Sequence, residues 1–201
     1  MARPRETDKT RDLALRAAAV LERDGLTISA EHLARELGIK RPTLLYHFPT
    51  HGHIVQAALA ELLAEQAAHV AARVEAHEHP IDRLDARLRA IHEFHAGTES
   101  RLLFLTQAIA VTGGGRVEEI LREASALFEG ERRDMIARVE KGIDDGCVHP
   151  CDAKALVALL RAVIDGLTIQ RVVSPRTVAA AQGLFWETVL FPLKRSPRRK
   201  K

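Results

Sequence analysis

Apolar residues recur at helical spacing along most of this 201-residue chain. From Leu13 they occupy positions i, i+4, i+7 and i+8, and Gly25 follows where a helix should end. The pattern predicts a first helix over residues 7–24. Its apolar side requires a partner, so more helices must pack against it.

Three further helices are predicted before residue 75. Ser29 can cap a second helix, which Gly38 would end, and Pro42 suits the first turn of a third helix. Thr50 can cap a long fourth helix. The second helix, its glycine turn and the third helix span about 20 residues, which is the length of a helix-turn-helix.

The rest of the chain continues the helical pattern. Helices are predicted from about residue 81 to 95, from 100 to 111, after Asp152 and after Ser174, and a long amphipathic stretch ends near residue 146. Residues 112–116, TGGGR, lack the Gly-Lys-Ser/Thr of a phosphate loop and are predicted to form a turn. No strand pattern competes, so the predicted fold class is all-α.

The third helix has two different faces. Helical geometry places Leu44 and Phe48 together on an apolar face. The opposite face and its N-terminal edge carry both polar and apolar side chains. A helix in the major groove needs these: donors and acceptors for base edges, apolar surface for thymine methyls, and cations for phosphates. That set is Lys40, Arg41, Pro42, Thr43, Tyr46 and His47. From geometry alone, an ordinary helical hairpin remains the alternative.

Residues 27–54, TISAEHLARELGIKRPTLLYHFPTHGHI, resemble the DNA-binding signature of the TetR family of bacterial transcriptional repressors. That signature combines Thr, Ile/Leu-Ala, Gly-Val/Ile and a short recognition helix ending in Tyr-x-His-Phe. The later segments VIDGLTIQR and ETVLFPL are similar to the family's C-terminal region. The resemblance implies a three-helix DNA-binding domain over residues 1–50 and a helical ligand-binding and dimerisation domain over residues 51–201, with a basic C-terminal tail.

Two positions depart from the family pattern. Leu45 stands where the family has a tyrosine, with Tyr46 next to it, and His51 stands where the family has a lysine at the start of the fourth helix. Both family residues typically touch phosphate. Leu45 cannot donate a hydrogen bond, so that contact is lost or moves to Tyr46. His51 is expected to remain near phosphate, because free backbone N–H groups at a helix start favour an anion.

The resemblance assigns DNA contacts residue by residue. The residues expected to contact base edges, methyl or sugar surface, or backbone phosphate are Ser29, Lys40, Arg41, Pro42, Thr43, Tyr46, His47 and His51. One such helix reads DNA weakly, so a homodimer on a near-palindromic operator is expected, with recognition helices about 34–36 Å apart. The candidate interface comprises Ala180, Ala181, Leu184, Phe185 and Val189; packing of its small residues within one subunit is the alternative.

Charge and composition agree with this assignment. The net charge of +3 divides into +2 over residues 1–53, −5 over 54–193 and +6 over 194–201. Basic ends on an acidic middle suit a chain whose ends approach a polyanion, although a short basic tail can equally be a solvated extension. There is neither a secretory signal nor an apolar run long enough to span a membrane, so we expect a soluble, cytoplasmic protein.

The family resemblance also implies a small-molecule effector that releases DNA. The candidate pocket residues are Phe94, Phe104, Gln107, Phe128, Gln170 and Trp186, although aromatics at helical spacing are commonly core residues. His92 with His95, and Cys147 with Cys151, could bind a metal, but neither spacing matches the common zinc patterns. We therefore expect no metal and no cofactor.

The sequence predicts a ligand-responsive transcriptional regulator, a repressor in the family's usual mode, rather than an enzyme. No nucleophile with an oriented base and no carboxylate pair forms a recognisable catalytic motif. The alternative is a helical ligand- or metal-binding module of the same fold with weak or lost DNA binding, which Leu45 and His51 keep open.

Overall fold

Helices form nearly all the regular structure of the computed structural model, which describes residues 4–98 and 128–195 together with Phe104, Gln107 and Ala108. The helices are α1 (Pro4–Asp24), α2 (Ala30–Glu36), α3 (Arg41–His47), α4 (His51–Val74), α5 (Pro80–Phe94), α6 (Glu129–Asp144), α7 (Ala153–Val173) and α8 (Pro175–Phe185). The all-α prediction is confirmed. The predicted helix over 100–111 falls largely, and the turn at 112–116 entirely, outside the described residues.

The described residues divide into two compact units. Residues up to 66 form the first, with Phe104, Gln107 and Ala108, and residues 67–98 with 128–195 form the second. Helix α4 begins in the first unit and ends in the second. The sequence-based domain boundary between residues 50 and 51 stays a prediction.

Local signals define the helices of the first unit. The Ser29 hydroxyl accepts the His32 backbone N–H at 3.1 Å and caps α2. Gly38 ends that helix in the left-handed region, with φ of +69°, where a side chain would strain the backbone. Pro42 lies in the first turn of α3. These three residues set the bounds of the helix-turn-helix.

Buried side chains lie on both short helices, α2 and α3. Leu33 of α2 and Leu44 of α3 are fully buried, and Phe48, which follows α3, is 3 % exposed. Burying each of these side chains contributes about 1.5–3 kcal/mol. The Arg16 guanidinium of α1 also donates to the Leu37 carbonyl at the end of α2. Together these contacts fix α3 against its neighbours.

The second unit has its own core, built by α5, α6 and α7 with the end of the chain. The buried cluster comprises Ile81, Leu84, Leu88, Ile136, Val139, Val148, Ala153, Leu156, Val157, Leu160, Ile164, Phe185 and Leu190. Asp152 caps α7 by accepting the Ala155 N–H at 2.9 Å, as its position in the sequence predicts.

His79 and the Cys147 carbonyl join three segments of the second unit. Its Nδ1 accepts the Ile81 N–H at 3.1 Å and caps α5, while its Nε2 donates to the Cys147 carbonyl at 2.9 Å. The same carbonyl accepts the Arg195 N–H at 2.8 Å. Lys194, beside Arg195, pairs with both carboxylate oxygens of Asp82 at 2.6 and 2.9 Å. The chain is therefore anchored to the start of α5 as far as residue 195.

The last helix is shorter than the sequence predicts. Its apolar pattern extends to Pro192, but α8 ends at Phe185 and is followed by a π-helical turn, Trp186–Leu190, and a 3₁₀ turn, Phe191–Leu193. Pro192 has no N–H to donate, and the Thr188 hydroxyl bonds to the Leu184 carbonyl at 2.6 Å. Both features disturb the regular α-helical bonding that the pattern assumes.

A buried histidine should make stability depend on pH. His92 is 2 % exposed, its Nδ1 donates to the Leu88 carbonyl at 2.9 Å, and the Gln182 side-chain amide lies 2.9 Å from the same nitrogen. Burial lowers the His92 pKa from its ordinary value of 6.5, and the nearby Arg171 charge lowers it further. The unfolded chain then binds a proton at a higher pH than the folded chain.

The stability that neutral His92 provides is therefore present above pH 6.5 and is lost as the pH falls below that value. We expect the free energy of unfolding of the wild type, measured by urea titration, to fall between pH 7.5 and 5.5 by up to about 1.4 kcal/mol from this one group, because pH 5.5 lies one unit below the ordinary His pKa. His92→Phe removes this titration, so its free energy of unfolding should fall less over the same range. Equal pH slopes for the two proteins would rule out His92 as the cause.

Candidate nucleic-acid interface

Helix α3 presents one face to solvent. Tyr46 is 72 % exposed, and Leu44, two residues earlier, is fully buried. The other exposed side chains of this face and its N-terminal edge are Lys40, Arg41, Pro42 and Thr43. Within the described residues neither Lys40 nor Arg41 forms an ion pair, so both charges are available to phosphate. The two faces predicted from the sequence are therefore present.

His47 is half-buried at the end of α3. Its Nδ1 lies 2.9 Å from the Thr10 hydroxyl of α1, 37 residues away in the chain. The His47 and Tyr46 rings contact each other edge to face, with their centroids 5.3 Å apart and their planes at 83°. One ring nitrogen of His47 is thus already engaged, and only Nε2 remains for a contact outside the protein.

His51 differs from its sequence-based assignment. A phosphate contact through the imidazole needs a ring nitrogen that can donate to phosphate. In the structure, Nε2 instead donates to the Leu26 carbonyl at 2.7 Å. The ring thereby ties the start of α4 to the loop that follows α1. Only the backbone N–H groups at the start of α4 remain as the predicted phosphate ligands near this position.

Leu45 is half-buried rather than fully exposed. It offers no donor to phosphate, while the side chain of Tyr46 beside it is 72 % exposed. Ser29 is exposed, and its hydroxyl is used as the cap of α2. The polar contacts of this helix-turn-helix are therefore concentrated at Tyr46, His47 and the N-terminal edge of α3.

A network of ion pairs lies at the far ends of α1 and α2. Arg23 bonds to Asp24 at 2.7 Å and to Glu36 at 2.6 Å, and His32 lies 3.2 Å from Asp24. The hydrogen bond from Arg23, assisted by that from His32, lowers the Asp24 pKa to about 2. Because Arg23 is neutralised by two carboxylates, it is not a free cation for DNA.

The chain was compared with models of known protein families and with curated protein sequences. A TetR-family model described as "BetI-type transcriptional repressor, C-terminal" matches residues 80–186. The chain belongs to the TetR family of transcriptional regulators. Family membership places it among regulators rather than enzymes. A search of curated protein sequences finds no match.

Solved structures share the fold of this TetR-family chain. A transcriptional regulator from Saccharomonospora viridis in complex with choline is 19% identical, with a TM-score of 0.76 over 94% of this chain and 100% of its own. A TetR regulator from Haloarcula marismortui is 19% identical, with a TM-score of 0.78 over 94% and 100%. One from Pectobacterium atrosepticum is 18% identical, with a TM-score of 0.72 over 98% and 100%.

The predicted effector-pocket residues have varied surroundings in this TetR-family chain. In the second unit, Phe94 packs against His69 and His95, Arg161 lies 4.8 Å above the Phe128 ring, and Trp186 packs against Phe191. The remaining candidate of that unit, Gln170, is exposed. The three aromatic residues have separate partners, so the pocket assignment stays a prediction. In the first unit, Phe104 is buried and Gln107 is exposed.

The predicted dimer-interface residues lie on both sides of α8 and, for Val189, in the π-helical turn that follows it. Leu184 is 62 % exposed and Ala180 is exposed, while Ala181 and Val189 are half-buried. Phe185 is 8 % exposed and belongs to the core of its own unit, which corrects its assignment to the interface surface. Its direction is fixed by the inward face of α8, which Val178 and Gln182 share.

Sequence reasoning missed half of this surface. Helix α7 carries exposed apolar or small residues at alternating spacings of three and four: Leu159, Ala162, Gly166, Ile169 and Val173. Ile169 is 67 % and Val173 is 73 % exposed. Between α7 and α8 a groove, apolar except for Thr188, is lined by Val163, Gly166, Leu167, Ala181, Leu184, Phe185 and Thr188. The spacing of three and four is visible in the sequence, but residues buried in the core of one chain show the same spacing.

The described residues do not assemble a metal site. Cys147 and Cys151 are free thiols, and no group of three or more His, Cys, Asp or Glu side chains among these residues could hold a metal ion. Burial raises the pKa of the Cys151 thiol, which disfavours the thiolate that binds metals. No described helix is long and apolar enough to cross a membrane.

Proposed function

We propose that this TetR-family regulator binds a near-palindromic DNA operator as a homodimer, acts as a repressor, and releases the DNA when a small-molecule effector binds. Helix α3 of each copy enters the major groove. Tyr46, Thr43 and Pro42 face the bases, and Lys40 and Arg41 face the phosphates. His47 contacts the backbone through Nε2.

The observation that carries this proposal is the solvent-facing side of α3. A phenol, a hydroxyl and a proline ring lie next to the cations of Lys40 and Arg41 on a helix that a buried leucine fixes in place. Such a surface can donate to base edges, contact thymine methyls and neutralise phosphate. Tyr46 is 72 % exposed, and the packing of an ordinary helical hairpin does not explain an exposed tyrosine at this position.

Dimerisation follows from the exposed stripes of α7 and α8. A monomer would leave Ile169, Val173 and Leu184 in water next to an apolar groove. Two copies related by a two-fold axis can bury these residues against one another, as in an isologous four-helix interface. The two recognition helices then read successive major-groove faces, which gives the operator its symmetry.

The effector part of the proposal is supported by the structural relative from Saccharomonospora viridis, which was solved in complex with choline. The dimer has one state that binds DNA and one that does not. A ligand that binds the second state more tightly than the first lowers operator affinity by the ratio of its two affinities, typically about 5–150-fold. We propose that this chain responds to a small molecule in the same way.

A DNA-binding titration tests the proposal. Fluorescence anisotropy would measure the affinity of the full chain for the DNA upstream of its own gene, against DNA of the same length and base composition in scrambled order. We expect the upstream DNA to bind at least about 1,000-fold more tightly. The logarithm of affinity should fall with the logarithm of salt concentration by about 0.9 for each phosphate contacted.

A second candidate function is a helical ligand-binding module with weak or lost DNA binding. The observation that favours it is the loss of two phosphate contacts, since Leu45 has no donor and the His51 ring is bonded to Leu26. Equal affinity for upstream and scrambled DNA at every salt concentration would support this module and would overturn the operator proposal.

A further inference from the structure

The hydrogen bond between Thr10 and His47 limits what α3 can present to DNA. An imidazole has two nitrogens, and the Thr10 hydroxyl, 2.9 Å from Nδ1, engages one of them. The ring cannot turn over without breaking this bond. Nε2, on the opposite side of the ring, is then the only nitrogen of His47 that can bond to another molecule.

The chemistry of phosphate decides which form of the ring is productive. Phosphate oxygens accept hydrogen bonds, so His47 must carry a proton on Nε2 to bind them. In the neutral ring with its proton on Nε2, Nδ1 is an acceptor, and the Thr10 hydroxyl can donate to it. In the doubly protonated ring, Nδ1–H donates to the same hydroxyl oxygen. Threonine therefore supports both forms that keep a proton on Nε2.

The fixed ring also affects its neighbour. The His47 ring meets Tyr46 edge to face at 5.3 Å, so a rotation of the imidazole would remove a surface against which the exposed tyrosine packs. Thr10 lies on α1, and its effect on the DNA-facing side of α3 passes through the His47 ring.

We propose that Thr10 is a positioning residue for DNA recognition: its hydroxyl holds the His47 ring so that Nε2–H is presented to a backbone phosphate. The proposal rests on the proposed function, in which α3 reads DNA. It assigns to α1 a polar role in addition to the apolar contacts that α1 makes within the first unit.

The first experiment compares operator affinity among hydroxyl variants. Thr10→Val keeps the shape and branching of the side chain but removes the hydroxyl, and Thr10→Ser keeps the hydroxyl. We expect Thr10→Val to weaken operator binding about fivefold, the effect of one lost hydrogen bond. Thr10→Ser should restore affinity to within about twofold. Thr168→Val makes the same chemical change on α7 and should leave binding unchanged.

A double-mutant cycle separates positioning from a general structural effect. If Thr10 acts through the imidazole, Thr10→Val in a His47→Ala background should weaken binding no further. An equal fivefold loss in both backgrounds would mean that Thr10 merely holds α1 against α3, and the proposal would be overturned. Failure of the wild type to prefer its operator would instead overturn the proposed function itself.

Nitrogen-15 NMR of the His47 ring reports its proton positions directly, and its decisive measurement uses the wild type. In the wild type bound to operator, we expect Nε2 to be protonated. In Thr10→Val without DNA, the neutral ring should show a mixture of tautomers. A wild-type ring with a proton on Nδ1 and none on Nε2 in the complex would exclude the proposed role.

Discussion

Ile169→Glu will convert the proposed dimer into monomers at micromolar concentration and will weaken operator binding at least about 100-fold. Ile169 is 67 % exposed in the middle of the α7 stripe, where a two-fold partner would bury it. A carboxylate buried there without a partner costs several kcal/mol, and the two-fold axis places a second carboxylate nearby. Analytical ultracentrifugation measures the oligomeric state, and anisotropy measures the affinity.

Val172→Glu is the matched control for this substitution. Val172 is 58 % exposed on the same helix, but it lies on the side that carries Arg161 and Asp165, which form a 2.7 Å ion pair in solvent. The control should remain dimeric and keep its operator affinity. A dimeric Ile169→Glu protein would show that the two copies meet elsewhere, and the assignment of the α7 stripe would then be abandoned.

Tyr46→Ala will weaken operator binding by about 1–3 kcal/mol, which corresponds to about 5–150-fold in affinity, with little change in the melting temperature. The separation is expected because the side chain is 72 % exposed and Leu44, not Tyr46, fills the core beneath α3. Anisotropy titration and thermal unfolding of the same preparations measure the two quantities.

Tyr46→Phe divides the contribution of Tyr46 between its ring and its hydroxyl. If the phenol replaces the phosphate contact that Leu45 cannot make, Tyr46→Phe should lose most of the affinity that Tyr46→Ala loses. If the ring contacts thymine methyls, Tyr46→Phe should bind like the wild type. A parallel drop in affinity and melting temperature for Tyr46→Ala would show that Tyr46 is a structural residue and that the face assignment is wrong.

The helix-turn-helix could be predicted because its signals are local. Ser29, Gly38 and Pro42 act on the backbone within a few residues of themselves, so spacing alone gives the bounds of α2 and α3 to within one or two positions. The exposed and buried faces of α3 follow from helical geometry once its bounds are known.

The role of His51 could not be predicted, because its partner is the Leu26 carbonyl, 25 residues earlier in the chain. The same is true of Thr10 and His47, which are 37 residues apart. Contacts of this kind depend on how α1 and the helix-turn-helix pack, and no spacing rule reports that packing. The resemblance to the family suggested phosphate for His51 because the family's lysine at this position typically touches phosphate.

The α7 stripe was missed for a different reason. Its residues recur at spacings of three and four, as core residues do, and hydrophobicity alone does not say whether the partner is the same chain or a second copy. Only the exposure of Ile169 and Val173 separates the two cases.

The bonding of His79 gives the second unit a natural spectroscopic reporter. Because Nδ1 accepts from Ile81 and Nε2 donates to Cys147, the folded protein fixes the single ring proton on Nε2. Two chain segments must meet for this arrangement to exist. The nitrogen shifts of one imidazole, selectively labelled, therefore follow in real time whether the first turn of α5 and the loop after α6 are assembled.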